Sequence, residues 1–247
     1  MNTQKVALVT GASSGIGKAI AQQLIQDGLI VYVAARRIEK MQDLAELGAI
    51  ATKMDITQDD DVQNVVAQIE RDHNGVDILV NNAGYAIYGA MEDTTIEDAR
   101  RQFEVNLFGL ANLTKAILPT MRAKKSGKII NISSMGGKIY SLLGCWYHAT
   151  KHALEGWSDC LRLELTPFNI DVVIIEPGII KTEFGDVMLA PMMERSGNSA
   201  YSAMAKKMAK MTKSSYEQGN ASDPSVIAQV VSKAVQAKKP KTRYVAG

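Results

Sequence analysis

The stretch Val6-Ala7-Leu8-Val9-Thr10-Gly11-Ala12-Ser13-Ser14-Gly15-Ile16-Gly17-Lys18-Ala19-Ile20-Ala21 decides the fold. Four apolar residues and Thr10 read as a buried strand, and Lys18 onward reads as the start of a helix. Between them Gly11, Gly15 and Gly17 form a turn in which the backbone can approach an anion closely. A glycine-rich turn from a first strand into a first helix holds a pyrophosphate against the helix N-terminal amides. Gly11 suits the tight turn, Gly15 the close approach, and Gly17 the close packing of helix on strand. Ser13, Ser14 and Ile16 share this turn and join the expected contacts. The spacing G-x-x-x-G-x-G is a variant of the commoner G-x-G-x-x-G.

Outward from this unit, short β-branched runs alternate with longer amphipathic stretches to the end of the chain. Strands are expected at 6–10, 30–35, 49–54, 77–81, 128–133, 171–175 and 243–246. Helical patterns fall at 15–27, 38–47, 59–73, 95–122, 146–166 and 223–237. Most strand runs are continuously apolar, as a sheet covered on both faces requires. Alternating β and α elements imply parallel strands with right-handed crossovers. The expected fold is α/β, a doubly wound, mostly parallel seven-stranded sheet of Rossmann type with helices on both faces. No repeat or Pro/Gly/Ser linker divides residues 1–247, so a single domain is read. The segment 183–220 has no strand pattern and interrupts the alternation.

The second strand ends at Ala34-Ala35-Arg36-Arg37, with Arg36 nineteen positions beyond Gly17. A site selective for NAD needs Asp or Glu here to accept from the ribose 2′-hydroxyl, whereas Arg suits a 2′-phosphate. The guanidinium is permanently charged and its planar fork matches phosphate oxygens. Arg36 and Arg37 therefore point to NADP (NADPH) as the cofactor.

Tyr147 and Lys151 are four apart at the start of a helical pattern, which places both on one face. A free tyrosine titrates near pH 10 and is mostly protonated at neutrality. An adjacent ammonium and an oxidised nicotinamide would both favour the phenolate, and lowering its pKa by three units needs roughly 4 kcal/mol. Y-x-x-x-K alone is common by chance. Its setting is not: it follows the fifth strand, and Ser134 stands at that strand's C-terminal end, where open α/β sheets bind their ligands.

With these features the chain resembles the short-chain dehydrogenase/reductase family, in its single-domain branch. The matching motifs are T-G-A-S-S-G-I-G at 10–17, D-I-T at 55–57, N-N-A-G at 81–84, N-L-F-G at 106–109, I-S-S at 132–134, Y-H-A-T-K at 147–151 and P-G-I-I-K-T at 177–182. The resemblance implies that Tyr147 exchanges a proton with the substrate oxygen while Ser134 hydrogen-bonds it. It implies that Lys151 binds the nicotinamide ribose and that Asn106 holds a water connecting Lys151 to solvent. Asp55 and Ile56 would line the adenine pocket, and Asn82, Ala83 and Gly84 would pass along the cofactor. Pro177 and Gly178 would border the nicotinamide, with Ile180 and Thr182 on its carboxamide. His148 departs from the small residues usual at this position. Being one residue from Tyr147, it is expected to face a surface or an interface.

The resemblance places a substrate lid at 183–220, where Met188, Leu189, Met192, Met193, Tyr201, Met204, Met208 and Met211 give a soft, apolar character. A plain amphipathic helix with Met204, Met208 and Met211 on one face is the equal alternative. Steroid- and retinol-type members look most similar; they often continue beyond the last strand, so no substrate contact from such a tail is expected here. The implied activity is hydride transfer between NADPH and a carbonyl or secondary alcohol on an apolar substrate. A 3-oxoacyl thioester reductase and a non-catalytic NADPH-binding sensor are the alternatives.

Composition restricts the remaining choices. With 46% hydrophobic and 22% charged residues and a net charge of +2, the chain reads as a soluble globular protein and not as a nucleic-acid binder. Two cysteines, Cys145 and Cys160, build no disulfide framework and suit a reducing compartment. The expected location is cytoplasmic, with no leader and no membrane span. No metal site is read. Leu107, Leu110, Leu113, Trp157 and Leu161 exceed what one sheet-facing stripe needs and, with the resemblance, suggest a homodimer or homotetramer.

Overall fold

The computed structural model describes residues 4–182, 184–217, 219 and 221–247, leaving aside the side chains at 184–187 and 217. The chain runs β1 (Val6–Thr10), α1 (Gly15–Gln26), β2 (Ile30–Ala35), α2 (Gln42–Glu46), β3 (Ile50–Lys53), α3 (Asp59–His73) and β4 (Ile78–Asn81). It continues through α4 (Ile96–Phe103), α5 (Leu110–Lys124), β5 (Gly127–Ile132), α6 (Cys145–Leu165), β6 (Ile170–Pro177), α7 (Phe184–Ser196), α8 (Ser202–Glu217), α9 (Pro224–Gln236) and β7 (Arg243–Ala246). The seven strands form one sheet in the order β3-β2-β1-β4-β5-β6-β7, and every pairing is parallel.

The apolar runs are continuous because alternate residues feed two cores. Ala7, Val9, Val80, Ile130 and Val173 face α1 and α9 through Ile20, Leu24, Ile227 and Val231. Val6, Leu8, Leu79, Ile129 and Val172 face α3, α5 and α6 through Val66, Ile69, Leu113, Ile117 and Leu161. The strand order reverses between β1 and β4, which opens a crevice at their C-terminal ends. The glycine turn stands at that crevice.

Four expectations need correction. The helix at 38–47 is divided into a 3-10 turn (Ile38–Met41) and α2. The helix at 95–122 is divided by a π-helical segment, Glu104–Gly109. The segment 183–220 holds two helices, α7 and α8, although Glu183, Gln218 and Asn220 lie outside the described residues. On α8 the packed stripe is Ala205, Met208 and Ala209, with Tyr201 just before it, while Met204 and Met211 face solvent. Only one of the three methionines expected on a common face is therefore packed.

Leu110, Leu113 and Leu161 are also core residues and cannot form an interface; Phe108 and Leu163 are the exposed large side chains of that region. Cys145 and Cys160 lie on one helix, fifteen residues apart, or about 22 Å at 1.5 Å per residue, too far to pair. Among the described residues no helix is long and apolar enough to cross a membrane.

Candidate active site

A cleft of about 330 Å³ lies along the C-terminal edge of β1, β2 and β4. Its wall brings together Gly11, Ser13, Ser14, Arg36, Arg37, Asp55, Ile56, Ala83 and Gly84 from four separate sequence segments. Thr10, Thr57, Tyr85, Arg101 and Val105 join them and were not read from sequence. Arg101 and Val105, four residues apart, had only a helical spacing to signal them.

The glycine turn is shaped for close approach. Gly11 and Gly15 have φ of 65° and 55°, a region costly for side-chain-bearing residues. A Cβ on Gly11 would stand 2.9 Å from Ala83 Cα, and one on Gly17 would strike the Asn82 amide and the Gly11 carbonyl. Asn82 fixes the turn: its Nδ2 donates to the Thr10 carbonyl at 2.9 Å and the Gly11 carbonyl at 3.2 Å. Its side chain is thus turned into the loop. The amides of Asn82 and Ala83 both donate to Thr10 Oγ1, at 3.1 and 3.0 Å.

The start of α1 differs from those of α4 and α9. Thr95 caps α4 and Asp223 caps α9, but the Ser14 side chain makes no cap at α1, whose first turn carries no acidic residue. Its N-terminal amides therefore meet an anion without competition. Facing them, Arg36 and Arg37 supply positive charge. Burial opposes ionisation of Asp55, but hydrogen bonds from Thr57 and the charges of Arg36 and Arg101 outweigh it and hold the carboxyl below its usual range. The donors and the glycine cradle fit a dinucleotide carrying an extra phosphate.

Further along the same edge, Ser134 follows β5 while Tyr147 and Lys151 project from the first turns of α6. Ser134 Oγ accepts from the Gly136 amide at 3.0 Å and is hydrogen-bonded to Tyr147. Tyr147 is 8% exposed. Burial raises its pKa, opposed by the Ser134 hydrogen bond, and the nearby Tyr88 adds to the rise. Lys151 Nζ donates to the Ile132 carbonyl at 2.9 Å. Burial lowers its pKa to about 8, opposed by the charge of Glu155. The net effect on Tyr147 is a rise, opposite to the depression expected of an adjacent ammonium. Burial outweighs it.

Asn106 stitches the two halves together. Its Nδ2 donates to the Tyr85 carbonyl at 2.9 Å and to Thr150 Oγ1 at 3.1 Å, and its Oδ1 accepts from the Tyr85 amide at 3.0 Å. These bonds occupy the side chain expected to hold a water. Ile180 is buried in the core, which leaves only its backbone for a cofactor; Thr182 lies against Gly15. Pro177 ends β6, and Gly178 packs on Gly247.

His148 is a correction. It is 7% exposed, between the Gly136 carbonyl (2.8 Å) and Ser141 Oγ (2.8 Å). The loop after Ser134 covers that side of α6, so one step around the helix leads into packing and not to solvent. Gly144 makes the room, since a Cβ there would stand 2.7 Å from the imidazole. Beside Tyr147, an apolar wall is built from Tyr88, Leu143, Met188, Leu189 and Met192. Leu143 holds a left-handed φ of 61°, a strained conformation for a leucine, and its carbonyl accepts from the Gly89 amide at 2.9 Å.

This arrangement has relatives. A sequence model of the short chain dehydrogenase family matches residues 5–192. The chain belongs to the short-chain dehydrogenase/reductase family. Within it, a 3-ketodihydrosphingosine reductase of Bacteroides thetaiotaomicron is 41% identical over 182 residues, covering 74% of this chain and 66% of that protein. A short-chain dehydrogenase from Streptomyces avermitilis superposes with a TM-score of 0.84 at 36% identity, covering 100% of this chain and 89% of that one. The closed form of a serine dehydrogenase complexed with NADP+ superposes with a TM-score of 0.85 at 29% identity, covering 97% and 93%. The chain thus spans about two thirds of the first relative's length, and this short-chain dehydrogenase/reductase fold is shared throughout.

Proposed function

We propose that the chain is a single-domain, NADPH-preferring oxidoreductase acting between a carbonyl and a secondary alcohol, with Tyr147 as the general acid/base. The observation that carries this reading is the Ser134–Tyr147 hydrogen bond beside buried Lys151, on the sheet edge that also bears the Arg36 cleft. The bound nicotinamide would supply or accept the hydride. Tyr147 would give its proton to the substrate oxygen in reduction and take it back in oxidation. Ser134 would donate to that oxygen as charge develops on it. Lys151 would hold the ribose hydroxyls and, once turned from Ile132, favour the phenolate. NADPH preference rests on Arg36 and Arg37, with no carboxylate at the end of β2.

The apolar wall of Tyr88, Leu143, Met188, Leu189 and Met192 supports a hydrophobic substrate. A relative named for reducing a 3-keto lipid base points the same way. Exposed Phe108 and Leu163 support self-association through the segment before α5 and through α6, and a cytoplasmic location accords with the free cysteines. The test is Tyr147→Phe, assayed by NADPH consumption across ketones and aldehydes of graded size. Turnover should fall by at least about 10²-fold with cofactor affinity little changed. Near-normal reduction would remove the assignment.

A further inference from the structure

His148 makes hydrogen bonds whose directions follow from chemistry alone. A carbonyl only accepts, so the bond to Gly136 O requires a hydrogen on Nδ1. In the neutral ring Nε2 then accepts, and Ser141 Oγ–H donates to it at 2.8 Å. Ser141 thereby spends its one hydrogen. At the other end Gly136 N–H donates to Ser134 Oγ at 3.0 Å, and Ser134 bonds Tyr147. Gly136 is therefore held at its carbonyl by His148 and at its amide by Ser134. The chain of donors runs one way, from Ser141 through His148 and Gly136 to Ser134; Tyr88 meets it through its ring against His148.

The amide of Gly136 occupies one lone pair of Ser134 and leaves its hydrogen free for an oxygen at Tyr147. We infer that His148 is a positioning residue: by fixing Gly136 it aims the Ser134 hydroxyl at Tyr147 and at the substrate oxygen, and it links that aim to Tyr88. The inference rests on the roles proposed for Ser134 and Tyr147. Packing makes the grip specific, because a Cβ on Gly136 would sit 3.1 Å from the Tyr147 ring and 3.2 Å from His148 Nδ1. The rings of Tyr88 and Tyr147 are 5.8 Å apart, and Tyr88 meets His148 edge-on at 6.4 Å. The titratable groups facing Tyr147 are Tyr88 from the loop after β4 and His148 and Lys151 on its own helix. The lid contributes Met188, Leu189 and Met192.

The test uses the full chain saturated with NADP+ and follows phenolate absorbance against pH, with Tyr147→Phe as the blank. This readout needs no substrate. His148→Phe keeps a ring but loses both bonds; His148→Gln keeps a donor and an acceptor. In His148→Phe the Tyr147 transition should move at least about one pH unit higher, and reduction of 2-decanone should slow about tenfold or more. NADPH affinity should stay within about threefold, and Gln should recover most of both effects. An unmoved transition in His148→Phe, or one that Gln fails to recover, overturns the inference. If His148→Phe does not fold, Ser141→Ala on the exposed loop carries the test, with a smaller shift in the same direction expected and no shift overturning it. Failure of the parent reading looks different: Tyr147→Phe would then reduce 2-decanone like the unaltered protein.

Discussion

Lys151 donates an Nζ hydrogen to the Ile132 carbonyl at 2.9 Å, which directs its ammonium at the end of β5. The protein thus holds a buried cation whose hydration is lost. Burial lowers its pKa to about 8. The unfolded chain, with Lys151 near its ordinary 10.5, binds more protons between these two values. Stability should therefore rise as pH goes from about 8 to 10.5, and the penalty should be fully present below 8. Its size is on the order of 3 kcal/mol. Lys151→Met should flatten this slope in chemical denaturation followed across pH. A variant with an undiminished slope would place the penalty elsewhere.

Ser134 is the group that lowers the Tyr147 pKa against the larger effect of burial. Ser134→Ala should slow turnover by about 10² and move the rise of alcohol oxidation to higher pH, because the phenolate is the base in that direction. Rate profiles of the two proteins with one alcohol decide the matter; coincident profiles would deny Ser134 this role.

Arg36 and Arg37 face the cleft with no carboxylate at the strand end. Arg36→Asp should lower the preference for NADPH over NADH by about 2–4 kcal/mol, replacing attraction of the extra phosphate by repulsion. Dissociation constants for both cofactors give the ratio directly. Equal affinity of the unaltered protein for the two would refute NADPH preference.

Gly17 and Gly28 separate close packing from backbone strain. Gly17→Ala drives a Cβ into the Asn82 amide and the Gly11 carbonyl, so cofactor binding should be lost with much of the stability. At Gly28, φ is 82° and nothing lies within 4 Å, so Gly28→Ala should cost only about 1–2 kcal/mol and leave binding intact. Titration of NADPH into both variants, with their melting temperatures, is sufficient.

Strands 6–10, 30–35 and 243–246 were legible to the residue because continuous β-branched runs end at glycine, arginine or turn residues there. The meeting of Gly11, Arg36, Asp55 and Ala83 in one cleft was legible because they sit at successive strand ends, whose place in an open sheet is known in advance. Two features were not. Helix α7 carries Pro191 and shows little apolar period, and on α8 the methionines of the expected face do not mark the buried side, which centres on Ala205. His148 was misread because its burial comes from a loop seven to twelve residues earlier, and only Gly136 and Gly144 hinted at the space it fills.

The π-helical segment Glu104–Gly109 accommodates one residue more than an α-helix of the same span would hold. Asn106 sits in it, and through Tyr85 and Thr150 joins the cleft to α6. Deleting one residue from the segment would regularise the ladder over the same span, yet it would turn residues within the segment by as much as about 100° relative to α5. Asn106 would leave both partners. Here a more regular backbone and a working site are opposed, so this segment should tolerate substitutions at its outward positions far better than any change of length.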